Sequence, residues 1–402
     1  MKQIRMALLA VAILGALSLS ASEIIQAMKV PGNLGKIGVT SKAWLSAEYT
    51  DVMLYPQTTI VMNDQDANAL NKGNLAKKVR IKALHDGHHI AFLVVWKDAT
   101  HSVQEGISSG YGDGFAVQLA THVEDVKKLP YIGMGSEGRP VLVHLKKATG
   151  VTYEPNGYND VYHQVNVSNQ NLYEAKADAY QKEVVKKAIT EYQRVFVSEG
   201  FGGMTQIKDG SAEAKMEMIY QGGLWRGVLV RALKDEYLSI FQGALPLSVA
   251  VWDGEKKNRD GIKHLSGWIP VKLVGTSGGE ALIDELMVAT NGNVKNGEKL
   301  VAENCAACHR YKGAEVAPEF MAPALYNIGG YATDAYLMES IVSPSAVVVP
   351  GFNKTAHKNY AWYNVGEKGE RISTMPPYDW MDERSRQDII AYLKTLKVGG
   401  EE

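Results

Sequence analysis

The segment Cys305-Ala306-Ala307-Cys308-His309 decides how the C-terminal part of this 402-residue chain folds. Two thiols at this spacing, followed at once by an imidazole, suit the two vinyl groups and one axial face of a haem: the thiols form thioethers and His309 reaches the iron. A redox dithiol would not need the adjacent His, and a zinc site would need a second pair of ligands. The chain has only 2 cysteines, both in this motif. The expectation is one covalent haem c attached to Cys305 and Cys308, with His309 as an iron ligand.

Working outward, Asn296 to Asn304 and Asp382 to Leu396 have helical periodicity, and the Pro- and Gly-containing segment between them suits a small all-α domain wrapped around a cofactor. The iron needs a sixth ligand. Met375, in Ser373-Thr374-Met375-Pro376-Pro377-Tyr378, offers a soft thioether in a loop stiffened by two prolines, and Met321 is its competitor. From roughly Asn291 to Val398 these residues resemble class I cytochromes c. The resemblance implies that the Pro323 carbonyl accepts the proton of His309, that Met375 is the distal ligand, and that the helix from Asp382 crosses the one before Cys305. Met321 sits close to the proximal loop, so Met375 is preferred. His and Met together make the iron six-coordinate, which favours electron transfer over activation of oxygen or peroxide.

At the other end, Lys2 and Arg5 precede a largely apolar run from Met6 to Leu19 and the small residues Ser20, Ala21 and Ser22, the pattern of a cleavable signal peptide over residues 1–22. The run falls short of the roughly 20 residues that span a bilayer, so the expectation is an exported protein without a membrane span after cleavage, in the periplasm or an equivalent extracytoplasmic compartment. Losing Lys2 and Arg5 from the 43 basic residues leaves 41 against 44 acidic, a formal charge of -3. A nucleic-acid binder would show a clustered basic surface, and none is legible.

Between Trp44 and Val274 the chain reads as β. Val79 to Leu84, a turn at Asp86-Gly87, and Ile90 to Trp96 form a hairpin. Further strands are expected at Gly114–Ala120, Pro140–Lys146, Lys215–Tyr220, Trp225–Ala232, Leu247–Trp252 and Trp268–Leu273. Short strands at this spacing favour a sandwich or barrel. Gln170 to Tyr192 is rich in Ala, Lys, Glu and Gln without Gly or Pro, hence an inserted helix. Gly275-Thr-Ser-Gly-Gly-Glu280 has the composition of a flexible junction. The expected organisation is a β-sandwich domain over 23–274, a linker over 275–290 and a cytochrome c domain over 291–402. His85, His88 and His89 at the hairpin turn have no partner at metal spacing and read as solvated surface residues.

The β region also contains Asp113-Gly-Phe-Ala-Val-Gln118, Gly133-Met134-Gly135, Trp252-Asp-Gly254, Arg259-Asp-Gly-Ile-Lys263 and Leu265-Ser-Gly-Trp268. From physics alone, Met134 is a loop residue whose backbone could approach something closely, and Lys263 is an ordinary charged residue before a strand. These segments, however, resemble the haem-binding gamma subunits of periplasmic molybdenum enzymes such as ethylbenzene dehydrogenase, dimethylsulfide dehydrogenase, and selenate and chlorate reductases. The resemblance implies a β-sandwich holding one non-covalent haem b between the thioether of Met134 and the neutral amine of Lys263, with His264 as the alternative to Lys263. Arg139, Arg259 and Lys146 are candidates for the haem propionates, against ordinary surface charge. A gamma-like domain fused to a cytochrome c domain is more similar to the corresponding subunit of nitrite oxidoreductase. The implied role is a dihaem relay, not itself an enzyme, between an iron-sulfur beta subunit and a soluble carrier such as a cytochrome c, with a molybdenum-containing alpha subunit doing the chemistry. A cubane cluster normally takes four Cys ligands and both cysteines are committed, so those centres belong to other chains. A free-standing cytochrome shuttle, a haem enzyme with a substrate-holding β domain, and a carbohydrate-binding module are the rival readings.

Overall fold

A computed structural model describes residues 24–60, 64–103, 111–148, 192–200, 203–207, 214–238, 240, 243–348 and 360–400. The expected signal peptide and nearly all of the expected inserted helix lie outside these residues. Tyr192, taken as the helix end, instead opens a strand. The β region contains β1 (Ile25–Lys29), β2 (Thr50–Pro56), β3 (Lys77–His85), β4 (His89–Lys97), β5 (Gly114–Ala120), β6 (Val141–Lys147), β7 (Tyr192–Ser198), β8 (Met204–Gln206), β9 (Ala214–Gln221), β10 (Leu224–Ala232), β11 (Ala244–Trp252), β12 (His264–Leu265) and β13 (Ile269–Leu273). A short helix, α1 (Gln65–Gly73), joins β2 to β3.

Hydrogen bonding links the strands in the order β8-β7-β6-β5-β11-β12-β2-β3-β4-β10-β9, with β1 bridging β13 and β3. The sheet doubles over on itself into two layers. Phe115, Val117, Leu247 and Val249 from one layer bury themselves against Ile81, Phe92, Val94 and Leu229 from the other. Trp96 lies 5.8 Å from Phe115, ring centre to ring centre. Gly227 makes room here, because a Cβ at that position would meet the Phe115 ring at 2.5 Å. Both outer faces are covered as well. Leu34, Ile37, Val39 and Trp44 close one, over Leu93 and Val95. The chain between β5 and β6, together with the C-terminal domain, closes the other. Every residue of β5 and β11 is therefore buried, in keeping with a composition that is apolar except for Gln118 and Ser248.

The C-terminal part contains α2 (Glu280–Met287), α3 (Val294–Asn304), α4 (Ile328–Tyr331), α5 (Asp334–Val342) and α6 (Glu383–Leu393), with a small hairpin of β14 (Tyr363–Val365) and β15 (Arg371–Ser373). Side-chain caps from Asn293, Thr333 and Asp382 start α3, α5 and α6. α3 and α6 cross with their backbones nearly touching at Gly297: a Cβ there would lie 1.8 Å from the Asp388 carbonyl oxygen. The junction differs from expectation. Gly275, Gly278 and Gly279 have positive φ, Gly275 in a turn closed by the Thr276 N–H on the Leu273 carbonyl at 3.2 Å and Gly279 at the start of α2, which has Leu282 fully buried. Leu282, Ile283 and Leu286 give this stretch one apolar face, which packs into the core shared by the two domains.

Candidate functional site

In the C-terminal domain, Cys305 caps the end of α3, and the chain turns so that the backbone N–H of His309 donates to the Cys305 carbonyl at 2.9 Å. The Nδ1–H of His309 donates to the Pro323 carbonyl at 2.8 Å. That bond fixes the tautomer and leaves the Nε2 lone pair for a metal. Burial holds the His309 imidazole below its usual range, with the Pro323 carbonyl opposing, so the ring is neutral as an iron ligand must be. Burial, with Cys308 alongside, pushes the Cys305 thiol up to about 11. A half-buried neutral sulfur suits a thioether better than a reactive thiolate.

Met375 follows β15 directly. Its loop is tied to the Cys305 helix by Tyr378, whose hydroxyl donates to the Asn304 carbonyl at 2.7 Å. The Tyr378 N–H donates to Ile341 at 2.9 Å. Met321 lies on the Pro323 side, its N–H bonded to the Pro318 carbonyl at 3.3 Å.

In the β domain, Gly114, Ala116 and Gln118 of β5 lie opposite Trp252, Ala250 and Ser248 of β11, and Ala120 continues the β5 side of that face. Apart from Trp252 and Gln118 this is a face of small side chains, and Leu145 and Phe196 on the neighbouring strands stay only partly buried against it. Short side chains at Gly114, Ala116, Ala120 and Ala250 are what a flat apolar group lying against a sheet requires. The chain from Leu129 to Gly135 crosses this face, with Gln118 donating to the Ile132 carbonyl at 2.9 Å and Trp268 to the Pro130 carbonyl at 2.9 Å. Met134 sits in it at φ 75°. A non-glycine residue in the left-handed region is strained by about 1 kcal/mol or more and survives only where its surroundings insist. Here the Ser198 hydroxyl and the Gly200 N–H both donate to the Met134 carbonyl at 2.8 Å.

Lys263 ends the loop between β11 and β12 and is 3% exposed. Burial lowers its amine to about 8, against the opposing pull of Asp260. The amine thus lies far nearer its neutral, iron-binding form than an exposed lysine. His264, the alternative, commits its Nε2–H to the Leu75 carbonyl at 3.0 Å, and burial, with Lys77 nearby, pushes it down to about 3. A methionine on a strained backbone, a buried amine lowered to about 8 and a face with several short side chains are donors and surroundings that fit a haem bound by Met134 and Lys263.

Two of the three propionate candidates pair with carboxylates. Arg139 forks onto Glu339 and Arg259 bonds Asp64 at 2.7 Å. Lys146 is 5% exposed, inside the sheet rather than at its surface. The hairpin histidines differ too: His85 is 1% exposed and donates to the Val274 carbonyl at 2.9 Å, because the parallel pairing of β1 covers it. His89 pairs with Asp86 at 3.1 Å.

The sequence reading missed the interface. Tyr131, three residues before Met134, packs on Tyr336 of α5 at 5.4 Å. Gly330 of α4 lies against the Tyr55 ring, and Asn327 donates to the Pro56 carbonyl at 3.0 Å. It also missed three buried carboxylates, Asp98, Asp113 and Asp253, whose oxygens lie within 4.8 Å of one another beside Lys77. Aromatic and acidic residues far apart in the chain carry no local signal that would have grouped them.

Residues 41–264, more than half of the chain, match the family model described as Ethylbenzene dehydrogenase. The chain belongs to the ethylbenzene dehydrogenase family. Residues 294–397 match the model for cytochrome c, so this family member carries a cytochrome c domain behind its β domain. The gamma-like domain and the fusion expected from the sequence are both present, and together they support a haem electron-transfer role. No curated protein matches. Similar solved structures include a family 9 carbohydrate-binding module from Caldicellulosiruptor kristjanssonii with glucose, at 11% identity and TM-score 0.30 over 63% of this chain and 97% of that one. The same module with cellotriose matches at 11% identity and TM-score 0.30, over 67% and 100%. A putative carbohydrate-binding protein from Bacteroides uniformis matches at 9% and 0.30, over 63% and 91%.

Proposed function

We propose that this chain is the dihaem electron-transfer subunit of an exported molybdenum oxidoreductase complex, most like the gamma subunit of nitrite oxidoreductase. One observation carries the reading: an ethylbenzene dehydrogenase domain and a cytochrome c domain occur on one chain and share one buried core, with the Met134 loop at their interface. The domains are 23–274 and 291–402, joined by 275–290.

Met134 and Lys263 would hold haem b, and Cys305, Cys308, His309 and Met375 would hold haem c. Each haem supplies a one-electron carrier when bound. The protein does the rest. Pro323 orients His309 through the Nδ1–H bond, and burial makes the Lys263 amine easier to deprotonate than an exposed lysine. Two protein ligands per iron leave no position for substrate, so the chemistry belongs to the molybdenum-containing alpha subunit. The iron-sulfur beta subunit exchanges electrons with haem b, and a soluble carrier exchanges them with haem c. Among the described residues no helix is long and apolar enough to cross a membrane.

Purifying the chain from its source and assaying haem with alkaline pyridine tests this. The expected result is two haems per chain, one extractable by acidic acetone, with iron-sulfur and molybdenum subunits co-purifying. A monomer with one haem and no large partners would sink the reading.

A further inference from the structure

Five residues after Met134, the guanidinium of Arg139 forms a two-pronged ion pair with the carboxylate of Glu339 on α5, at 2.7 and 2.8 Å. The two residues are 200 apart in sequence and in different domains. Both side chains are largely shielded, at 20% and 18% exposure. Two parallel charge-assisted bonds in a shielded place fix orientation as well as distance. A second cross-link lies beside the first: Arg371 pairs with Glu137 at 2.8 Å, and Arg371 begins the strand that leads into Met375.

The linkage from Arg139 back to Met134 is stiff. Ser136 and Arg139 exchange backbone hydrogen bonds at 2.9 and 3.2 Å, closing a tight turn, and the Gly135 N–H donates to the Tyr131 carbonyl at 2.8 Å. Gly135, at φ 82°, has no room for a side chain, since a Cβ would lie 2.5 Å from the Ser198 carbonyl. A displacement of Arg139 therefore moves Met134 instead of being absorbed by slack chain. Tyr131 against Tyr336 clamps the other end of the same loop to the same helix. The strained φ of Met134 needs this surrounding support.

We propose that Arg139 and Glu339 are positioning residues through which the cytochrome c domain sets the thioether of Met134, so that the haem b site is complete only when that domain is docked. This rests on the assignment of haem b to Met134 and Lys263. It goes beyond that assignment by making one haem site depend on the domain that carries the other. The partner of each charge is supplied across the interface, so docking and haem b ligation are one event.

The test uses the full chain with E339Q, R139E, E339R and the reciprocal swap R139E/E339R. E303Q, in an exposed pair within the cytochrome c domain, is the control. Haem b transfer to excess apomyoglobin and the haem b midpoint potential are the readouts. The covalent haem content and its own potential report folding. Each single variant at 139 or 339 is expected to release haem b about tenfold faster and to lower its potential, because a loosened thioether stabilises ferrous iron less. The swap should restore both, with haem c unchanged throughout and E303Q like wild type. Haem b release and potential that do not respond to E339Q would overturn the inference, as would a swap that fails to rescue or parallel changes in both haems. A wild-type chain with a single haem would overturn the haem b assignment itself, which distinguishes the two failures.

Discussion

The hydroxyl of Tyr378 donates to the carbonyl of Asn304, 74 residues upstream, at 2.7 Å. Tyr378 lies three residues after Met375, and Asn304 is the residue before Cys305, so one hydrogen bond joins the loop of the proposed distal ligand to the helix that presents the attachment cysteines. Removing the hydroxyl by Tyr378→Phe should cost about 1 kcal/mol, the usual contribution of such a bond. The more telling readout is ligand exchange. Cyanide should displace the methionine from haem c faster in the variant, followed by absorbance, with haem b unaffected.

Gly297 occupies the crossing of α3 and α6, where an added methyl would lie 1.8 Å from the Asp388 carbonyl. Backbone cannot swing aside as a side chain can. Gly297→Ala should therefore separate the helices and cost about 3 kcal/mol, at the upper end for overpacking. Chemical denaturation monitored at the covalent haem would measure it. A cost below about 0.5 kcal/mol would contradict the close crossing.

The two proposed haem sites depend on different chemistry. Met134→Ala should empty the non-covalent site and leave the covalent haem in place. Cys308→Ala should weaken or abolish covalent attachment while haem b remains. Pyridine spectra taken before and after acid-acetone extraction separate the two pools. Equal loss of both from either variant would contradict this division.

Asp86, in the turn between β3 and β4, accepts from the backbone N–H groups of Leu34, His88 and His89. Burial alone would raise its carboxyl, but these bonds outweigh it and hold the group well below its ordinary value of 3.8. The folded carboxylate is thus favoured over the unfolded one, and its contribution is present above about pH 4 and lost as pH falls further. Asp86→Asn should cost about 2 kcal/mol at pH 7, and the penalty should shrink below pH 4. Thermal unfolding of both proteins from pH 3 to 7 checks the sign.

Strand positions were readable where alternation or a continuous apolar run persisted, as in β3, β4, β5 and β10, because local burial repeats along the chain. The short β12 and β8 were not, since two or three residues hold no period. The glycines at 275, 278 and 279 suggested flexibility from composition, yet each takes a positive φ that only glycine adopts cheaply, as the chain turns into α2. His85 looked like a turn residue and is core, because β1 returns to cover it from a distance that local pattern does not encode.

By itself the sequence determined the chemistry that covalent spacing dictates: two thiols and an imidazole at 305, 308 and 309, a methionine between glycines at 134, and strands followed by helices. Only the tertiary structure decided what surrounds them. It put Met134 at a strained φ, buried Lys263 so that its amine fell to about 8, gathered Ala116, Ala120 and Ala250 on one sheet face, and brought Glu339 to Arg139. The reason is physical. Spacing along a chain is set by covalent bonds, whereas desolvation, strain and pairing across 200 residues exist only after distant segments have packed together.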